Sequence, residues 1–290
     1  MSGIATNRTN ISLPTSVSDF ILQKTQEDSA IMQLATKIAL PGKGLTIPII
    51  TSDPVAQWVD ETDAKPVSNP GLSQKVMRGY TLAVIVPFSN QFRRDDGALF
   101  DALVDRLPRV LAEKFDATVF GGEAPGSDFD VLTNVHAESL VSSVYGGLVA
   151  ADTDISLHGG ISNGYAISPQ MRGILLGALD GENRPLFVNN VSEGAIPMIL
   201  GQPTKLTKGA FKSGSPATVA FVGDWTKAMY GIVQGVDITI TDQASLTLGD
   251  GSTLNLFQRN MFAVRAEIEV GFRADTDVFN KLTHNSVPSI

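Results

Sequence analysis

Residues 261–274 read Met-Phe-Ala-Val-Arg-Ala-Glu-Ile-Glu-Val-Gly-Phe-Arg-Ala, and their alternation decides the fold class. Successive side chains of an extended chain point to opposite faces. Phe262, Val264, Ala266, Ile268, Val270 and Phe272 therefore share one face, while Arg265, Glu267, Glu269 and Arg273 share the other. An apolar strand face this long needs a strand partner and a cover. The partner is the run where Val236, Ile238 and Ile240 alternate with Asp237, Thr239 and Thr241, with a turn at Gly249-Asp250-Gly251 before the main strand. The cover is a helix in which Leu99, Leu103, Leu107, Val110, Leu111 and Phe115 recur at steps of three and four. Asp95 or Asp96 is placed to cap it and Gly121-Gly122 to end it. Pro108 falls inside, where the missing amide and the ring's clash with the preceding turn predict a kink or break near residues 104–108. A long antiparallel pair packed on a long helix places the chain in the α+β class.

Outward from this centre the chain changes character. Residues 44–88 read as strand in three runs: Leu45, Ile47 and Ile49; Val55 to Val59; and Thr81 to Phe88. Asp60-Glu61-Thr62-Asp63-Ala64-Lys65-Pro66 marks an exposed bend between the second and third. Such a two-stranded excursion is marginal alone in water and needs a partner surface. Residues 1–43 are polar at first and then carry a loose apolar stripe over residues 21–35, too little to fold without docking. Residues 123–235 read as a compact α/β unit. There Ile167-Ser168-Pro169 is a strand end, a cap and a first helical residue, and the helix stops at Asp180-Gly181. Val219 to Val222 is a short buried strand.

Composition excludes several classes of function. The formal net charge of −8 argues against a nucleic-acid reader, which carries a basic patch or stripe. No apolar run reaches the roughly 18 residues needed to cross a bilayer. The absence of cysteine rules out disulfides and thiolate metal sites and suits a cytosolic origin. No Gly-rich loop leads to Lys and Ser/Thr, and no Gly-x-Ser-x-Gly elbow occurs. His136, His158 and His284 lack ligand-like spacing and read as ordinary surface or core residues. Asp60, Glu61 and Asp63 read as a charged tip rather than a calcium loop. No catalytic residue, cofactor site or metal site is assigned.

The order of pieces resembles the major capsid proteins of tailed bacteriophages with the Hong Kong 97-like fold. The resemblance spans roughly residues 44–283. It rests on Trp58-Val59-Asp60-Glu61, Pro87-Phe88-Ser89 leading to Arg94-Asp95, and the helix running to Phe120-Gly121-Gly122. Leu200-Gly201-Gln202-Pro203, Phe221-Val222-Gly223-Asp224-Trp225 and the stretch from Arg265-Ala266-Glu267 to Arg273 complete it. It implies an N-terminal arm (1–43), an extended loop (44–88), a peripheral domain (89–122 and 236–275) and an axial domain (123–235 and 276–290). It further implies self-assembly into pentamers and hexamers of an icosahedral shell. That shell encloses double-stranded DNA without reading its sequence, with separate scaffolding, portal and decoration proteins as partners. The product is a virion component, assembled in the bacterial host cytoplasm without a membrane.

In such a shell Trp58 is either a packed aromatic or an anchor on a neighbouring subunit. Asp60, Glu61 and Lys65 accompany it at the tip. Arg93, Arg94, Glu267 and Glu269 are either solvated or bridge subunits as weak, repeated pairs. Pro108 is a candidate hinge between ring sizes. Some family members crosslink a loop lysine to an asparagine; Lys65 and Lys75 are loop lysines, but no acceptor is identified and crosslinking is not predicted. Alternatives are an encapsulin-type nanocompartment and, more remotely, a soluble α/β enzyme.

Overall fold

The computed structural model describes residues 11–12, 23–52, 54, 56–59, 65, 67–69, 71–90, 96–180, 182–187 and 198–285. Strand β1 (Ile11–Ser12), a helical turn at residues 23–28, helix α1 (Ala30–Leu34) and strand β2 (Thr36–Ala39) come first. Then follow β3 (Leu45–Ser52), β4 (Gly71–Met77), β5 (Tyr80–Ser89) and the long helix α2 (Asp96–Gly121). Next come β6 (His136–Ser139), α3 (Val144–Leu157), β7 (Gly164–Ile167), α4 (Pro169–Leu176), β8 (Met198–Ile199), β9 (Gln202–Leu206) and β10 (Ala217–Gly223). The chain closes with β11 (Ala228–Thr241), the small hairpin β12 (Ser245–Thr247) and β13 (Thr253–Asn255), β14 (Met261–Ala274) and β15 (Phe279–His284).

Two sheets organise the molecule. In the first, β14 lies between β11 and β5, both antiparallel to it, with β1 and β2 added on β11. The expected pairing holds, with Ile238 opposite Ala266 and Ile240 opposite Val264. The expected apolar face is buried against the expected helix: Phe262, Val264, Ala266 and Ile268 share a core with Val236, Ile238, Leu107 and Leu111. The second sheet has six strands in the order β6-β15-β10-β7-β9-β8. Its core holds Phe115, Val119 and Phe120 from the last turns of α2, together with Trp225, Phe221 and Phe279. The indole of Trp225 donates to the Gly164 carbonyl at 3.0 Å and meets Phe279 edge-on at 5.1 Å. Helix α2 thus serves both cores, one along its middle and one at its end.

Several expectations require correction. Helix α2 is unbroken through Pro108. The expected break is therefore absent: proline forfeits one hydrogen bond, but Leu107 and Leu111 on either side are buried against the long sheet and keep the helix continuous. Val110, expected on the apolar face, is exposed. The second strand of the hairpin is Gly71–Met77 rather than Val55 to Val59, because β3 pairs with β4 from Leu45↔Met77 to Ser52↔Gly71. The third run, expected in the loop, is β5 of the long sheet, where Leu82, Val84, Val86 and Phe88 pack on its core. Helix α4 ends at Leu176, short of Asp180-Gly181. Its start agrees: Ser168 caps it by accepting from the Met171 amide at 3.1 Å.

Candidate assembly surface

The β3–β4 hairpin leaves the body of the molecule at its base and is held there by ion pairs. Arg273, expected on the solvent face of β14, is buried and reaches two other segments at once, β4 and the loop at residues 127–130. Its Nε donates to the Val76 carbonyl at 2.7 Å, its Nη1 to Asp130 at 2.7 Å, and its Nη2 to Asp128 at 3.3 Å and the Ser127 carbonyl at 3.2 Å. Lys75 adds bonds to Asp130 at 3.4 Å and the Ala274 carbonyl at 2.9 Å, and Arg78 pairs with Asp128 at 3.2 Å. Met77 below them is fully buried. The lower end of β14 is therefore covered on both faces, and that is why alternation mispredicts Arg273. A groove lined by Ile47, Pro48, Lys75, Met229 and Arg273 runs beside this base.

Toward the tip the situation reverses. Trp58 has 104% of its reference surface exposed and Val67 90%. Val59 and Lys65 are exposed as well. Asp60 and Glu61 lie outside the described residues, as do Arg93 and Arg94. Glu267 pairs along its own strand with Arg265 at 3.2 Å, and Glu269 lies over Gly79 at the start of β5. An exposed indole on a two-stranded ribbon leaves a large apolar area in water, and such patches mark contact sites.

A second site escaped the sequence reading. Asp116 of α2 is fully buried and accepts from Ser29 Oγ at 2.6 Å, the Ala30 amide at 2.9 Å, the Ile31 amide at 3.4 Å and Thr207 Oγ1 at 2.8 Å. It therefore caps the short helix α1 from outside and joins the N-terminal segment to α2 and to the turn after β9. Gly209 makes this possible, because a Cβ there would fall 2.7 Å from the Ala117 nitrogen. Burial pushes the Asp116 carboxyl above its ordinary value, and the four donors only partly oppose that. The sole sequence signal was an acidic residue beside Phe115 on the apolar side of the helix.

His136 and His158, distant in sequence, both approach Asp154, at 3.1 and 3.7 Å. Among the described residues no group of His, Cys, Asp or Glu forms a metal site, and no helix is long and apolar enough to cross a membrane. What the geometry offers is surface for contact.

The comparisons point the same way. The model of the phage capsid family matches residues 10–277. The chain is 28% identical over 293 residues to the probable major capsid protein of Mycobacterium phage L5, covering 93% of this chain and 88% of that one. It is 26% identical over 287 residues to the corresponding protein of Mycobacterium phage D29, covering 93% and 89%. A solved structure from Mycobacterium phage Adephagia superposes with a TM-score of 0.73 at 19% identity, covering 90% of this chain and 91% of that chain.

Proposed function

The chain belongs to the phage capsid family, and from that premise we propose how this major capsid protein of a tailed phage closes a virion shell from copies of itself. The observation that carries the proposal is the hairpin: tied at its base by Arg273 and bare at its tip, it leaves Trp58 without cover among the described residues. The ribbon lies across a neighbouring subunit, which covers Trp58 and Val67. Aromatic anchors of this kind dominate interface energetics. Asp60, Glu61 and Lys65, near the anchor in sequence, belong to the same contact in this reading. Arg93, Arg94, Glu267 and Glu269 form the weaker, repeated pairs that set register between copies.

In this reading residues 1–43 are the arm, the β3–β4 hairpin is the extended loop, and α2 with the long sheet is the peripheral domain. The six-stranded sheet with its helices is the axial domain. Copies meet head to tail, and such contacts close into rings when the rotation permits. Pentamers and hexamers of one chain demand some bending, and Pro108 is where α2 bends at least cost, since the Val104 carbonyl already lacks its helical donor. The closed shell encloses double-stranded DNA, and the formal charge of −8 suits a wall that does not trap it. Scaffolding, portal and decoration functions fall to separate proteins, with assembly in the host cytoplasm. The family match favours this reading over an encapsulin-type compartment.

The test is electron microscopy of the purified recombinant chain, alone and with Trp58→Ala. Closed particles or rings from the parent chain, lost or sharply reduced in the variant, support the proposal. A monodisperse small globule from the parent chain overturns it.

A further inference from the structure

Helix α3 is apolar on both sides. Leu148, Ala151 and Ile155 are buried against the six-stranded sheet, yet the outer stripe is Tyr145, Val149, Thr153 and Leu157, all exposed and none charged. Asp152 and Asp154 flank this stripe, but an exposed row of Tyr145, Val149 and Leu157 leaves a contiguous apolar patch in water, and such patches mark contact sites. Helix α3 lies by β15 and β6, at one edge of the sheet. The opposite edge is the β8–β9 hairpin, which exposes Met198 and, at its turn, Leu200. Leu200 stands at φ 49°, beside Gly201 at φ 79°. Left-handed backbone suits glycine and asparagine and disfavours leucine. An exposed leucine in that conformation gains nothing visible from its own chain.

The charges of the two edges are complementary. Strand β6 and helix α3 carry Glu138, Asp152 and Asp154, with His136 and His158 beside Asp154 but no lysine or arginine, whereas β8 and β9 carry Lys205 without an acid. We propose that these are the two halves of one heterologous contact: the outer face of α3 in one copy is covered by the β8–β9 turn of the next copy in the ring, with Leu200 seated on the stripe between Tyr145 and Leu157. Two different surfaces of one chain that fit each other make a heterologous contact, which repeats from copy to copy until the ring closes when the rotation permits. This inference rests on the shell reading above and names the surfaces that close its rings.

Because the chain has no cysteine, a thiol pair reports the contact without background. Particles of the double variant Val149→Cys, Leu200→Cys, treated with a bismaleimide, are expected to give a denaturing-gel ladder that ends at five- and six-membered species, while each single variant stays monomeric. A dimer from Val149→Cys alone, or intact particles of the double variant without a ladder, overturns the inference and leaves the shell reading standing. Absence of particles from the parent chain overturns both. Leu200→Asn gives an independent measurement. It relieves the backbone, so the free subunit melts at the same or a higher temperature, yet ring and particle yield falls at least tenfold. Unchanged yield contradicts the contact.

Discussion

The six-stranded sheet and the β3–β4 hairpin put their strands to opposite ends. In the sheet, Trp225 is buried, its indole nitrogen is satisfied by Gly164, and Phe279 and Phe120 close around it. In the connection between β3 and β4, Trp58 is fully exposed. One tryptophan is held by its own chain; the other is exposed and, in the proposed reading, is left for a neighbour. In that reading the difference teaches that the subunit carries its stability and its assembly in separate places, joined by α2 and by Arg273.

The largest effect should come from the finished region. Trp225→Ala removes a large side chain from a closed core and should cost about 3–5 kcal/mol in chemical denaturation of the free subunit. Little or no loss would mean the two regions are not distinct in kind. Arg273→Met comes next, because it takes from Asp128 and Asp130 the cation they share and leaves only the more exposed Arg78 and Lys75 to pair with them. Breaking a fully buried pair costs about 3–5 kcal/mol, and the remaining exposure here lowers that to about 2–3 kcal/mol. The same variant should speed hydrogen exchange in residues 71–77 while leaving β10 protected, which would locate the hinge of the hairpin at its base.

Asp116 sharpens the comparison from the side of the arm. Its carboxyl holds a proton more tightly when folded than its ordinary value of 3.8. The folded state therefore binds more protons than the unfolded one across that window, and stability is lost as pH rises from about 3.8 through the raised folded value. Asp116→Asn should abolish this slope in denaturation measured across the acidic range, and an unchanged slope would assign it elsewhere. Trp58→Ala should be the smallest change in the free subunit, within about 0.5 kcal/mol, as for an exposed site. In the shell it should cost about 2 kcal/mol or more per contact, read from the concentration needed for assembly.

Local pattern made the centre of the fold legible. Alternation over residues 261–274 and the three- and four-residue steps of α2 are short-range signals, and each element lies where they put it. Strand β4 was not legible, because Gly-Leu-Ser-Gln-Lys-Val-Met has neither alternation nor β-branched enrichment, and only pairing with β3 makes it a strand. Arg273 and Asp116 were missed for another reason. Their partners lie at Asp130, Val76, Ser29 and Thr207, far along the chain, and no window of sequence contains both ends of such a contact. Val110 shows the limit from the other direction: a helix position can satisfy the period and still face water when no element packs there. The hairpin tip was legible as exposed because charge and turn residues crowd into it, and the sequence names no partner for it.

Hydrogen exchange of the hairpin, compared between dilute free subunits and closed particles, bears most directly on the central claim. Amides of residues 45–52 and 71–77 should exchange orders of magnitude faster in the free subunit than in the particle, while those of β10 are protected alike in both. Equal, strong protection of the hairpin in the dilute subunit would mean that the chain covers it unaided, and would contradict the account.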